Sequence, residues 1–316
     1  MIGRDRFLNS IAFKPVDRPA KTDMFCLVEE LLGVPFPDVR EMEQSTGTER
    51  LRLIDACAQM YVAIAERYDH DCIFVWHPFT GRAHREVIAA LRRLVGGQRG
   101  ILGLVPKALW GMEQIADHVQ FAMLLHEDRE RLHRQARQFQ QDALAGIRQL
   151  AEAGADVAYL PNDVAYNDGP YFAPAIFTEL VLPYAQPLFA EIRRLGMVGV
   201  YHTDGNVTTL LDSIMALGAH ALQSIDPMAG MDIQRVKQQT QGRLALWGNV
   251  QCNLLQEGPE EAIRRSARYC LTHASPGSGY VFMASNSIFA GMPLANYEVM
   301  QDEYARFVAQ QGSGGP

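Results

Sequence analysis

His202 and Asp204 stand two residues apart at the end of an apolar run, Val198–His202. In an extended segment residues i and i+2 project to one side. Imidazole and carboxylate therefore converge there on one ligand, proton or metal ion. Asp204 has a second reading, as the cap of a helix whose first turn opens near Asn206, and both readings stay open at this stage. Other residues with chemistry occupy equivalent places. Trp76-His77 closes one apolar run, Asn162-Asp163 a second, Asp226 a third and Ser285-Asn286 a fourth. Asn249 follows Trp247-Gly248, with Cys252 just beyond. Asp163 and Asp226 read either as ligand-facing carboxylates or as caps and ion-pair partners. Asn249 reads either as an amide that orients a substrate, with Gly248 allowing close backbone approach, or as a simple turn.

Aromatic residues gather near the same run ends: Phe25, Trp76, Phe79, Trp110, Tyr166, Tyr171, Phe172 and Phe289. Some are expected to line a pocket suited to a planar organic ligand and the rest to pack loops. Asp69, His70 and Asp71 precede a run instead of following it, and read as solvated turn residues on the opposite rim. His118, His126 and His133 fall in helical stretches and read as surface or packing residues.

Such residues need a scaffold that delivers many strand ends to one place. Eight short β-rich runs are present: Ala20–Phe25, Cys72–Trp76, Ile101–Val105, Asp156–Leu160, Val198–His202, Ala221–Ile225, Leu244–Trp247 and Tyr280–Ala284. Most are nearly continuously apolar, as strands buried on both faces must be. Helical patterns lie between them at Glu49–Tyr68, Asp128–Glu152, Ala173–Leu195, Val207–Leu217, Glu260–His273 and Leu294–Ala309. Several stop at a glycine, the residue suited to a left-handed helix end. The alternation predicts an α/β chain folded as a single (β/α)8 TIM barrel over residues 1–311, with 312–316 a disordered tail. A doubly wound open sheet is the rival, but no Gly-x-Gly-x-x-Gly or Walker-type loop follows any run. In a barrel the chemistry sits at the C-terminal strand ends, and six of these carry polar groups.

Composition agrees with that frame. The 316 residues exceed a usual domain, yet α/β barrels reach ~250 residues or more as one unit. Hydrophobic residues make up 48% and charged residues 21%, which excludes disordered, collagen-like and disulfide-scaffold chains. The net charge of −7 comes with no Lys/Arg-rich run, so no nucleic-acid partner is expected. No apolar run approaches the ~20 residues of a membrane helix, and the opening MIGRDRFLNS lacks the apolar core of a signal peptide. Five scattered cysteines point to reduced thiols in a cytoplasmic protein, which leaves the Asn206-Val207-Thr208 sequon incidental.

Along nearly its whole length the sequence resembles the uroporphyrinogen decarboxylase superfamily. The resemblance rests on Phe13-Lys14-Pro15-Val16-Asp17-Arg18-Pro19 before the first run. It continues through Asn162-Asp163, Gly169-Pro170-Tyr171-Phe172-Ala173-Pro174 and Leu182-Pro183-Tyr184. His202-Thr203-Asp204-Gly205-Asn206, Trp247-Gly248-Asn249-Val250 and Met292-Pro293-Leu294-Ala295-Asn296 complete it. It implies a (β/α)8 barrel and one of two activities. One branch decarboxylates a tetrapyrrole bearing eight carboxylates, without a cofactor. The other moves methyl groups to or from a corrinoid protein or a thiol, and several of its members hold zinc on a His-x-Cys pair plus a later cysteine.

Two departures separate the branches. The decarboxylase carries an arginine-rich stretch after its first strand, where this chain has Met24-Phe25-Cys26-Leu27-Val28-Glu29-Glu30. With Asp163, Asp168, Asp204 and Asp226 at the strand ends, such a mouth repels a polyanion unless Arg82 or Arg85 compensates. One close pair of like charges costs ~4 kcal/mol at an effective dielectric near 20. The second departure is Asp204 in place of the His-x-Cys thiol, with Ser285-Asn286 near the later cysteine. A metal on His202 and Asp204, completed by Asp163, Asp226 or Cys252, would then be more oxygen-rich than the relatives' site.

The expectation is a corrinoid-dependent methyltransferase of the O-demethylase kind, with uroporphyrinogen decarboxylation as the alternative enzyme and a non-catalytic tetrapyrrole-binding barrel as the third reading. Its donor is a small methylated compound, a methoxylated aromatic among the candidates. Its corrinoid is carried by a partner protein, zinc stays a candidate, and some relatives are homodimers. His202, Asp204 and Asp163 are assigned the chemistry. Trp76, His77, Asn162, Tyr171, Asp226, Asn249, Ser285 and Asn286 are assigned substrate contacts.

Overall fold

The computed structural model describes residues 1–26, 29–115, 117–240 and 242–312. Eight strands form one parallel sheet: β1 Ala20–Lys21, β2 Cys72–Phe74, β3 Gly100–Leu104, β4 Val157–Pro161, β5 Val198–Thr203, β6 Ala221–Ser224, β7 Ala245–Trp247 and β8 Tyr280–Phe282. Their order around the sheet is β1-β8-β7-β6-β5-β4-β3-β2, so every neighbour in sequence is a neighbour in space except where the ends meet. There the Asp71 amide donates to the Lys21 carbonyl at 2.9 Å, and the Thr22 hydroxyl donates to the Cys72 carbonyl at 2.6 Å. These bonds close the ring into a (β/α)8 barrel.

The barrel interior is filled by side chains. Leu102, Leu104, Val157, Val200, Val281, Phe74, Tyr159, Trp247 and Met283 pack there with little or no solvent exposure. The N-terminal helix Gly3–Ile11 adds Phe7 and Ile11 to the same cluster, and Phe7 meets Trp247 edge-on at 5.3 Å. Residues of opposite parity face the surrounding helices and belong to a second, larger core.

All eight predicted runs contain a strand; five are shorter than expected, the first by four residues, and the other three match to within one residue at each end. Beyond β1, Phe25–Cys26 pairs with Ile288–Phe289 in a separate two-stranded sheet. The helix predicted over Ala173–Leu195 is two helices, Pro174–Leu180 and Leu182–Arg194, broken at Val181. Pro183 explains the break: it has no amide to bond back into the preceding helix, and it sits in the first turn of the next one, where none is needed. The Val207–Leu217 stretch is α-helical only over Leu211–Ala216. Helix Gly81–Val95 was not anticipated, although Ala83, Val87, Ile88, Leu91 and Val95 line its buried face at helical spacing. Of the expected tail 312–316, Gly312 is the last residue of the helix Leu294–Gly312, and 313–316 lie outside the described residues.

Asp69, His70 and Asp71 are not all solvated turn residues. Asp69 is solvated as expected, but Asp71 is 0% exposed and His70 only 2%. The Asp71 carboxylate receives Arg6 at 2.6 Å, Arg18 at 2.9 Å and the Lys21 amide at 2.9 Å. A buried charge is stable only when paired and hydrogen-bonded, and two guanidinium groups from the N-terminal segment supply that here. His70 meets the Tyr297 hydroxyl at 3.1 Å, and that hydroxyl donates to Asp23 at 2.8 Å. Asp23 is also buried, and burial pushes its carboxyl up to about 7, against hydrogen bonds from the Ala284 amide and Tyr297.

Two predictions follow from these buried acids. Asp71→Ala strands Arg6 and Arg18 at the barrel seam, and its unfolding free energy in urea should fall by about 3–5 kcal/mol; a loss below 1 kcal/mol would mean the seam does not depend on it. Asp23 has a folded-state value above its unfolded value of ~3.9. Its contribution is therefore complete below about pH 4 and lost as pH rises towards 7. Asp23→Asn should flatten that decline, read as wild-type minus variant stability between pH 4.5 and 7.5.

Candidate active site

β4 and β5 carry three polar side chains to the C-terminal mouth. Asp163 follows β4, His202 lies near the end of β5 and Asp204 just beyond it. The i, i+2 spacing does what an extended segment dictates: His202 and Asp204 face the same side. His202 Nε2 lies 3.5 Å from Asp163 Oδ1 and 4.0 Å from Asp204 Oδ2. The three residues offer ligand atoms all within 4.8 Å of one another. Among the described residues no lysine or arginine forms an ion pair with either carboxylate.

Each member of this triad is held from behind. Asp163 accepts the Asp204 amide at 2.9 Å. Asp204 accepts the Ser224 hydroxyl on one oxygen and the Asn286 amide on the other at 2.6 Å. Asn286 is itself oriented, because its Oδ1 accepts the Ser287 amide at 2.6 Å. Burial pushes the Asp204 carboxyl above its ordinary value, opposed by the nearby imidazole. His202 stacks on Tyr159 at 5.4 Å, and its Nδ1 meets Gln223 Oε1. Gln223 also accepts the Tyr159 hydroxyl at 2.6 Å and donates to the Ser285 carbonyl at 3.0 Å. Burial, then Asp204 and Asp163, hold the Tyr159 hydroxyl well above its ordinary value, so it serves as a donor.

The loop after β6 is strained to make this possible. Ser224 has φ +97° and Ile225 φ +54°, a region that branched side chains rarely enter. The Asn249 amide grips the Ile225 carbonyl at 2.7 Å, and its oxygen accepts the Cys270 thiol at 3.2 Å. Gly248 beside it has φ +132°, and a Cβ there would lie 2.7 Å from the Ser224 carbonyl oxygen. Asn249 thus acts on the backbone that carries Ser224.

The other predicted contacts are spread out. Asp226 caps the turn Pro227–Ala229 through the Met228 amide at 2.9 Å. His77 donates to the Pro37 carbonyl at 2.8 Å. Asn162 donates to the Tyr201 hydroxyl at 3.0 Å, outside the barrel. Tyr171 lies on the rim against His118, Tyr166 and Phe172. Ser285 accepts Gln223 through its carbonyl and the Cys252 amide through its hydroxyl at 3.4 Å. Trp76 packs edge-on against Phe79 at 4.7 Å. Both sit half-buried on the interior cluster that contains Tyr159, as does Cys26. The mouth therefore has an acidic wall on β4 and β5 and an apolar wall after β1 and β2. Gln223, Ser224 and Tyr159 were not anticipated; the signal was an amide and a hydroxyl closing an otherwise apolar run.

The triad fits a divalent ion. Bonds of ~2.0–2.2 Å to nitrogen and carboxylate oxygen span the observed separations, and the supporting hydrogen bonds orient each ligand as metal sites require. Cys252 is not arranged as a third ligand. Its sulfur accepts the Asn286 amide at 3.1 Å, and burial pushes the thiol up to about 11.

The profile of the uroporphyrinogen decarboxylase family matches residues 80–307. A solved methyltransferase from Methanosarcina mazei superposes with a TM-score of 0.77 at 20% identity, covering 97% of this chain and 99% of that one. A dihydrodipicolinate synthase superposes at 0.45 with 10% identity over 81% and 69% of the two chains. Another, from Acinetobacter baumannii, does so at 0.43 with 11% identity over 94% and 79%. No curated protein matches. Among the described residues no helix is long and apolar enough to cross a membrane.

Gly205 tests the rim above the triad. It has φ +83°, and a Cβ there would lie 2.6 Å from the Ala165 carbonyl carbon and 2.8 Å from the Tyr166 oxygen. Gly205→Ala must displace the Ala165–Tyr166 strand and should cost at least about 1 kcal/mol. An unchanged urea midpoint would contradict this packing.

Proposed function

This chain belongs to the uroporphyrinogen decarboxylase family, and from that premise we propose that it is a methyltransferase. It moves a methyl group from a small methylated donor, a methoxylated aromatic among the candidates, to a corrinoid held by a partner protein. The observation that carries this reading is the two-walled mouth. An imidazole nitrogen lies near two carboxylates that no cation pairs with among the described residues, and the half-buried Trp76 and Phe79 pack on the interior cluster that holds Tyr159, the residue His202 stacks on. The likeness to a solved methyltransferase over nearly the full length of both chains supports it.

In this reaction the C–O bond of the donor breaks while a C–Co bond forms. The Co(I) corrinoid supplies the electron pair of the new bond, and the donor oxygen keeps the pair of the old one. An alkoxide or phenolate is a poor leaving group, so the difficulty lies at that oxygen. In this reading His202 Nε2 hands it a proton. Nε2 faces both carboxylates, at 3.5 Å and 4.0 Å, so a proton carried there lies between the donor and the acidic wall. General-acid assistance of this kind typically contributes ~10²–10⁴-fold. A zinc ion held by Asp163, His202 and Asp204 would supply Lewis-acid polarisation of the same oxygen. Trp76 and Phe79 would hold the apolar body of the donor, leaving its oxygen towards the acidic wall.

The test is methyl-Co(III) absorbance with a Co(I) corrinoid protein and a panel of methoxylated aromatics, methylamines and methanol. One donor class should be demethylated. His202→Ala should lower the rate at least ~10²-fold with an unchanged circular-dichroism spectrum. Retained activity in that variant removes His202 from the chemistry, and no methylation across the panel overturns the reading.

A further inference from the structure

We propose that Gln223 is a positioning residue that commits His202 to one tautomer, so that Nε2 is the triad's electron-pair donor. The proposal rests on reading the triad as the reacting site.

Gln223 is fully buried on β6, and its side chain joins three strands. Its Nε2 donates to the Ser285 carbonyl at 3.0 Å. A backbone oxygen can only accept, so the amide cannot be turned over. Oε1 must then face Tyr159 and His202. It has two lone pairs, and the Tyr159 hydroxyl takes one at 2.6 Å. The other faces His202 Nδ1, which must bring the proton. In a neutral imidazole one nitrogen donates and the other accepts. Nε2 is thereby left with its lone pair, 3.5 Å and 4.0 Å from two carboxylate oxygens. A lone pair facing two anions is repelled unless a proton or a divalent cation lies between them. Stacking on Tyr159 opposes rotation of the ring out of this arrangement.

Without an acceptor at position 223 the preference reverses. Nε2 would carry the proton and donate to Asp163 or Asp204, and Nδ1 would face an apolar wall. Nε2 would then be lost as a ligand. A purely structural Gln223 predicts something else: lower stability with the same tautomer.

The experiment uses ¹⁵N-labelled full-length protein. Long-range ring spectra are recorded at a pH where the His202 ring is neutral, with His202→Ala as the assignment control. Zn²⁺ binding is measured by calorimetry on the same samples. The wild type should show the Nδ1–H tautomer. Gln223→Leu should show Nε2–H and bind Zn²⁺ ~10–100-fold more weakly, the usual effect of losing a partner behind a metal ligand. Gln223→Glu keeps an acceptor and should restore both. An Nε2–H tautomer in the wild type overturns the proposal, and that holds even if the leucine variant does not fold. A leucine variant that retains the Nδ1–H tautomer overturns it as well. If the wild type binds no Zn²⁺, the metal part of the functional reading fails, and the ring spectra alone decide the role of Gln223. If the spectra behave as expected but no donor is demethylated, the functional reading fails and the positioning role stands.

Discussion

The ring of strands closes through a strand only two residues long, and that closure depends on one buried carboxylate. β1 contributes Ala20 and Lys21 to the sheet and pairs through its ladder with β8 alone. On its other side it meets β2 through the Asp71 amide, the Asp71 carboxylate and the Thr22 hydroxyl. An ionised carboxylate at 0% exposure is tolerable only with its charge neutralised in place. Arg6 and Arg18 do this from the N-terminal segment, and the helix carrying Arg6 also plugs the barrel floor with Phe7. One arrangement thus closes the seam, seals the bottom and fixes where β1 and β8 end at the top. The position of Cys26 on one wall, and of Ser285 and Asn286 behind the triad, follows from that closure.

At the mouth the constraint changes sign. Two carboxylates share a site that no lysine or arginine enters among the described residues. The chain answers with neutral donors instead: a hydroxyl from Ser224, an amide from Asn286 and the backbone amide of Asp204 itself. These hold the carboxylates in place without cancelling their charge. The strained Ser224–Ile225 backbone has the same purpose, since it aims the Ser224 hydroxyl at Asp204 and is held by Asn249. Strain at that point is maintained because the surrounding loops over-determine it.

The strand runs were legible because buried parallel strands read as continuous apolar stretches, and the triad was legible because its members end such runs. His202 and Asp204 needed only the two-residue period of an extended segment. Asp163 and Asp226 looked alike in the sequence, each an acid just past a strand. One faces His202 and the other caps a turn, a difference set by loop geometry that no local pattern encodes. Gln223 was invisible for another reason: its meaning lies in Tyr159 and His202 on two other strands and in Ser285 beyond the end of a third. Asp71 misled because an acid in an Asp-His-Asp turn ordinarily faces water, and its partners lie 53 and 65 residues away.

The charge at the mouth also bears on what can react there. A polycarboxylate brought against Asp163 and Asp204 meets like charges, at ~4 kcal/mol for each close pair at an effective dielectric near 20. Neither Arg82 nor Arg85 pairs with these carboxylates. The first pairs with Glu86 at 2.7 Å, and the second donates to the Gly81 carbonyl at 3.0 Å on its own helix. A neutral ether meets no such barrier. In the proposed methyl transfer its oxygen would gain negative charge only as the C–O bond breaks, when a proton on His202 Nε2, or a cation in its place, would interact with it most strongly. On the proposed reading, a proton or cation at His202 Nε2 would act on the transition state more than on the bound donor. An interaction that strengthens along the reaction coordinate lowers the barrier, whereas one of constant strength only tightens binding. A triad with no fixed cation of its own has that property for a neutral donor and lacks it for a polyanion.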